Sequence, residues 1–129
     1  MLKLCKDFKY TPINNSELML LIDKFINVTK DLECDLNWID TSKITNMCCL
    51  FGFTADARQF TPKYHRVHFN GDISKWDVSN VEDMSNMFAY SQFNGDISNW
   101  NTSKVENMGC MFAFSEFNGD ISKWDVSHV

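Results

Sequence analysis

The chain has 129 residues, 44% of them apolar and 11 of them phenylalanine, which suits one folded domain and argues against disorder. Its formal charge of -5 disfavours broad attraction to nucleic acid or anionic lipid, because both require basic surface. No apolar run approaches the ~18 residues of a membrane span, and the opening Met1-Leu2-Lys3-Leu4-Cys5-Lys6-Asp7 lacks a signal-type apolar segment, so neither a span nor an export signal is expected.

The first predicted element is a helix over 14–26. Apolar residues at Leu18, Leu21, Ile22 and Phe25 follow the i, i+3, i+4, i+7 stripe, and Asn14 and Glu17 have capping-box spacing. Residues 1–31 are therefore read as an N-terminal capping region that covers the open end of a stack. A degenerate repeat unit follows at 32–55, and about 13 residues are then inserted at roughly 56–68.

Direct repetition dominates the rest of the chain. Fifteen of the 24 positions in 69–92 recur unchanged in 93–116, and 117–129 starts the unit again but stops half-way. A repeat of this period is too small to bury its own apolar face, so 32–129 is expected to form a solenoid. Asp-Ile-Ser-x-Trp alternates like a short strand with Ile73, Ile97 and Ile121 inward, after an Asn-Gly-Asp turn. Ser79-x-x-Glu82 and Ser103-x-x-Glu106 read as helix caps, with Val81, Met84, Met87 and Phe88 as one apolar face. The expected fold is thus an α/β repeat solenoid, leucine-rich-repeat-like, with one short strand and one short helix per 24-residue coil.

Five cysteines, Cys5, Cys34, Cys48, Cys49 and Cys110, are odd in number and lack C-x-x-C spacing, which fits free thiols in a reducing, cytoplasmic compartment. Cys49 and Cys110 share a repeat phase, but two steps of roughly 5 Å separate them by more than a disulfide spans.

The phrase Phe-Asn-Gly-Asp-Ile-Ser-x-Trp-Asp-Val-Ser-x-Val-Glu-x-Met-Ser-x-Met-Phe resembles the tandem repeat of BspA-like leucine-rich-repeat surface proteins. More narrowly, it resembles the mycoplasma-type repeat family of unknown function. The stretch from Asp35 to Met47 looks like that family's opening unit. The resemblance covers about 32–129 and implies a leucine-rich-repeat-like fold with surface display, adhesion or protein binding as its usual roles. It supplies no catalytic residues, and it makes the cell surface the alternative location.

Several rows of residues invite a function. Asp72, Asp96 and Asp120, with Asn70, Asn94 and Asn118, could ligate calcium or hold turns; calcium needs six to eight converging oxygens, so turn chemistry is favoured. Trp76, Trp100 and Trp124 could line a glycan-stacking strip or a buried spine, and burial is favoured because stacked repeats must hide apolar area. Ser74, Lys75, Ser98, Asn99, Ser122 and Lys123 should form an open strand face for a protein partner. In the insertion, Arg58, Lys63, Tyr64 and Arg66 make a basic, aromatic contact site, while His65 and His68 lack a third metal ligand. Ile121, Trp124 and Val126 mark an uncovered edge that favours self-association.

Three histidines without a nucleophile pairing, and no phosphate-cradling loop, leave catalysis without support. The expectation is a non-catalytic protein-binding module that needs no cofactor or metal. A carbohydrate-binding adhesin using the tryptophan row is the alternative.

Overall fold

The structure, a computed structural model, describes residues 10–53 and 62–129. Helix α1 (Asn15–Thr29) forms where the apolar stripe places it and buries Leu18, Ile22 and Ile26. Its first turn is held by the Asn14 side chain, which accepts from the Glu17 amide at 2.9 Å. It stops at Lys30, whose left-handed backbone (φ 56°) lets its N–H return to the Ile26 carbonyl. The helix lies on the first repeat unit, with Phe25 5.0 Å from Trp38 and the Asn15 amide on the Cys48 carbonyl.

The expected coil of strand plus helix is not what the repeats form. Among the described residues α1 is the one α-helix, a 3-10 turn covers Arg66–His68, and no strand is present, only isolated bridges such as Asp35 to Asp72 and Asp83 to Asn107. The leucine-rich-repeat-like α/β class is therefore overturned. The chain turns every few residues instead, and two side-chain habits explain this.

The first habit belongs to Asp and Asn. Asp72 Oδ1 accepts from the Ser74 amide and hydroxyl, and Asp96 does the same with Ser98. Asp77 likewise takes both donors of Ser79, so the serine expected to cap a helix is spent on a local turn. Asn101 accepts from the Ser103 amide in the same way. These Asx turns offer the backbone a partner two residues on and compete with helix formation. A backbone turn follows each one, as where Trp76 N–H reaches the Ile73 carbonyl and Val81 N–H the Val78 carbonyl.

The second habit lies in the Met-x-x-Met-Phe segment. Met87 N–H bonds the Met84 carbonyl and Met111 N–H the Met108 carbonyl, with Asn86 (φ 55°) and Cys110 (φ 54°) at the third turn position. Positive φ there is the requirement of a type II turn, and a helix cannot contain it. Tyr90 (φ 60°) and Phe114 (φ 54°) occupy the same place in the next turn.

Successive units touch through equivalent residues. The amides of Met47, Cys49, Phe51 and Phe53 donate to the carbonyls of Asp83, Ser85, Met87 and Ala89; one unit later Met84, Asn86, Phe88 and Tyr90 donate to Asn107, Gly109, Met111 and Ala113. Asn70 Oδ1 accepts from the Asn94 amide, and Asn94 Oδ1 from the Asn118 amide. Gly71 sits where the units come closest, since a Cβ there would run into the Cys34 carbonyl. Between these bonds run aromatic columns: Phe51, Phe88 and Phe112 at 5.7 and 5.6 Å, and Phe69, Phe93 and Phe117 at 6.1 and 6.3 Å. At about 1.5–3 kcal/mol for each fully buried large side chain against about 1 for each net hydrogen bond, the aromatic columns hold the units together and the bonds set their register.

Candidate interaction surface

The tryptophan row is interior. Trp76, Trp100 and Trp124 are 4%, 4% and 8% exposed, and each indole N–H donates to a carbonyl of the preceding unit, Leu36, Ile73 and Ile97 respectively. This row of three tryptophans therefore offers no exposed face for a sugar ring to stack on. The Asp row is engaged in turns, and Asn70 and Asn94 each hold the amide of the next unit. The Ser74 hydroxyl, followed by its amide, pulls the Asp72 carboxyl below its ordinary range, and Ser98 and Ser122 do so for Asp96 and Asp120. Among the described residues no three His, Cys, Asp or Glu side chains converge as a metal site.

The expected partner-binding strip is thinner than six residues. Ser74 and Ser98 are half-buried and their hydroxyls are tied to Asp72 and Asp96, whereas Lys75, Asn99 and Lys123 stand exposed in one phase beside the exposed Ser122. The Lys75 amide is fixed on Asn37 Oδ1 of the preceding unit at 2.8 Å, so Lys75 rises from anchored backbone.

In the inserted segment the expected site disperses. Arg58 lies outside the described residues. Lys63 is exposed and sits over the Tyr64 ring at 5.4 Å, with Lys30 over the same ring at 4.9 Å. His65 stacks on Phe53 at 4.2 Å, its Nδ1 accepts from the Val67 amide, and burial pushes its pKa down to about 4. Arg66 is the clear correction. It is 9% exposed, donates from Nε to the Leu50 carbonyl at 2.6 Å and pairs through Nη1 with Asp23 at 2.5 Å. Leu50 is the first-unit counterpart of Met87 and Met111, whose carbonyls accept amides from the unit before them. In unit one that amide is replaced by the guanidinium, as the Asn15 side chain replaces it at Cys48.

Of the residues marked for self-association, Ile121 (37%) and Val126 (53%) are exposed, while Trp124 is buried against Trp100 at 6.2 Å.

With this geometry in place, comparison with known families is direct: the family described as "Mycoplasma protein of unknown function, DUF285" matches residues 19–129. The chain belongs to this family. No match was found among curated proteins or solved structures. Family membership thus adds no catalytic or binding residue to those the geometry places at the surface.

One surface feature escaped the sequence reading. Lys43, Asn80, Lys104 and His128 share a phase, flanked by Thr45, Glu82 and Glu106, and line adjoining depressions of about 450 and 260 Å³. Lys104 Nζ reaches Asn80 Oδ1 at 3.0 Å, and the Asn80 amide reaches the Ser42 carbonyl at 2.8 Å. The signal was present as variation: this phase changes from Lys to Asn to Lys to His between copies.

Proposed function

We propose that the chain is a non-catalytic protein-binding module whose partner is read by registered columns of polar side chains. The observation that carries this reading is the exposed column Lys75, Asn99 and Lys123, in which Lys75 rises from an amide fixed on the preceding unit and all three flank Asx turns. Side chains fixed at repeat spacing lose little backbone freedom on binding, so a modest patch gives useful affinity. The net charge of -5 supports a protein partner over nucleic acid. The resemblance to BspA-like surface proteins also supports an interaction role. The free thiols Cys34, Cys48, Cys49 and Cys110 support a reducing, cytoplasmic setting, with the cell surface as the alternative that fractionation would test.

The test is affinity capture with mass spectrometry from native cells, comparing the chain with a Lys75→Glu, Asn99→Glu, Lys123→Glu variant. A partner held by the first and lost by the second is the expected outcome. Identical captures from the two would overturn the column as the recognition surface.

A further inference from the structure

The turn over residues 47–50 carries two sulfurs where its later counterparts carry one or none. Cys48 and Cys49 hold its central positions, which Ser85 and Asn86, then Gly109 and Cys110, occupy in the next copies. Cys49 is left-handed (φ 59°), and the Leu50 amide closes the turn on the Met47 carbonyl at 3.2 Å. Every backbone polar group of the pair is engaged. The Cys48 amide donates to Asn46 Oδ1 and its carbonyl accepts from Asn15, while the Cys49 amide donates to the Ser85 carbonyl and its carbonyl accepts from Gly52. The turn is thus fixed from α1, from unit one and from unit two. It brings the two sulfurs to 3.5 Å, with the Ser85 hydroxyl 3.4 Å from Cys48 Sγ. A chelating pair held in place beforehand loses little freedom when a ligand arrives.

The spacing and the surroundings narrow what these two sulfurs can hold. Neighbouring Cα atoms lie about 3.8 Å apart across a trans peptide, short of the roughly 4.4–6.8 Å that ordinary disulfides span, so direct closure would strain the turn. A single atom bonded to both sulfurs asks for no such strain. At a bond length of about 2.3 Å, that of zinc to sulfur, a linear ion would need the sulfurs about 4.6 Å apart, whereas 3.5 Å sets an angle of about 100°. Zinc itself takes four ligands, and among the described residues no third His, Cys, Asp or Glu joins the pair. What fits is a soft, trivalent, pyramidal centre bonded to two sulfurs and one further atom. Burial, then the Cys48 contact, pushes the Cys49 pKa up to about 11, so the setting disfavours a charged thiolate but not a neutral adduct.

We propose that Cys48 and Cys49 form a vicinal dithiol site for trivalent arsenic carrying one organic substituent. Both thiols add to the arsenic of an arsenoxide, forming two As–S bonds while the bonds between arsenic and oxygen break. The two thiol protons leave on that oxygen as water. Arsenic stays trivalent, so no oxidant or reductant takes part, and the adduct is neutral. Both cysteines are half-buried, which leaves the third arsenic bond a path to solvent. The site is separate from the exposed column of Lys75, Asn99 and Lys123 and goes beyond the protein-binding role. Because the folded turn holds the sulfurs at the chelating distance and the unfolded chain does not, occupancy stabilises the folded form.

The probe is phenylarsine oxide, added to the full chain with its thiols reduced. Intact mass spectrometry should show one phenylarsenic gained and two hydrogens lost, and peptide mapping should place it on Cys48 and Cys49. Removal by a small dithiol, but not by an equal excess of a monothiol, is the mark of a two-sulfur chelate. Cys48→Ser and Cys49→Asn install the residue types of Ser85 and Asn86, so the turn takes a sequence already used one unit later. Each variant should bind at least about tenfold more weakly, since one sulfur cannot chelate, and Cys110→Ser should bind unchanged. The melting temperature of the parent chain should rise on saturation. A fall, or no change, would show that arsenic takes adjacent sulfurs without regard to the fold, and would overturn the built site. Arsenic mapped to any other cysteine, or unchanged affinity in the two single variants, would overturn it as well.

Discussion

Arg66 Nε donates to the carbonyl oxygen of Leu50 at 2.6 Å, taking the place that a backbone amide holds at the equivalent carbonyls of Met87 and Met111. A buried acceptor left without a donor costs about 1–3 kcal/mol, and Asp23 loses its partner as well. The ion pair adds little beyond this because Asp23 is 42% exposed. Arg66→Ala should therefore lower stability by about 3 kcal/mol in denaturant titration. Arg66→Lys should recover only part of it, since one ammonium cannot reach both acceptors in the planar geometry of a guanidinium. A loss below about 0.5 kcal/mol, the scale of an ordinary surface change, would show that Leu50 needs no cap.

The turn at Met108 to Met111 makes a prediction whose sign separates it from the helix that the sequence suggests. Cys110 has φ 54° and is exposed. In a helix, glycine at an exposed site lowers stability by about 1 kcal/mol relative to alanine. At the third position of a type II turn it removes a left-handed backbone cost of about 1–2 kcal/mol, partly offset by glycine's greater freedom when unfolded. Cys110→Gly should thus raise the melting temperature, and Cys110→Val should lower it. The reverse order would restore the helix.

The helix α1, its Asn14 cap and the buried tryptophans were legible in the sequence because each rests on a local pattern with a single physical solution. The strand and helix within each repeat were not. Ser79-x-x-Glu82 does match a capping box, but Asp77 stands two residues before Ser79 and captures both its donors first. Val81, Met84 and Phe88 do share one side of a helical wheel, yet Asn86 takes the left-handed conformation within that span, as its counterpart Cys110 does in the next copy. Asp or Asn before nearly every serine was the sign of a chain built from Asx turns. Arg66 was misread for another reason: its partner Leu50 carries no side-chain signal, because the need for a donor exists only once unit one is known to lack a neighbour.

Burial, followed by the Arg66 charge, lowers the His65 pKa from 6.5 to about 4. The neutral ring is thus the folded form, and stability from this site is fully present above about pH 6.5 and lost as pH falls toward 4. Partial exposure of the ring keeps the effect small. His65→Phe preserves the stack on Phe53 and removes the titration, so the variant should lose less stability than the parent between pH 7 and pH 4.5. Parallel urea titrations at the two pH values check this; equal losses would exclude His65 as a contributor.

The thiols should report the order of the structure from outside to inside. Cys110 is exposed, Cys48 and Cys49 are half-buried with sulfurs 3.5 Å apart, and Cys34 is 8% exposed. Burial, then the nearby Asp31, pushes the Cys34 pKa up to about 12, and burial with the Cys48 contact pushes Cys49 up to about 11. Since the thiolate is the reactive species, both are held in the inert form at pH 8. Among these four thiols, timed iodoacetamide labelling followed by peptide mass spectrometry should therefore find Cys110 modified first and Cys34 last. Cys34 should react only when denaturant opens the contact between units one and two, where its carbonyl accepts from the Asp72 amide at 3.1 Å. Rapid native labelling of Cys34 would mean that this junction opens on its own, and with it the register that fixes every later unit.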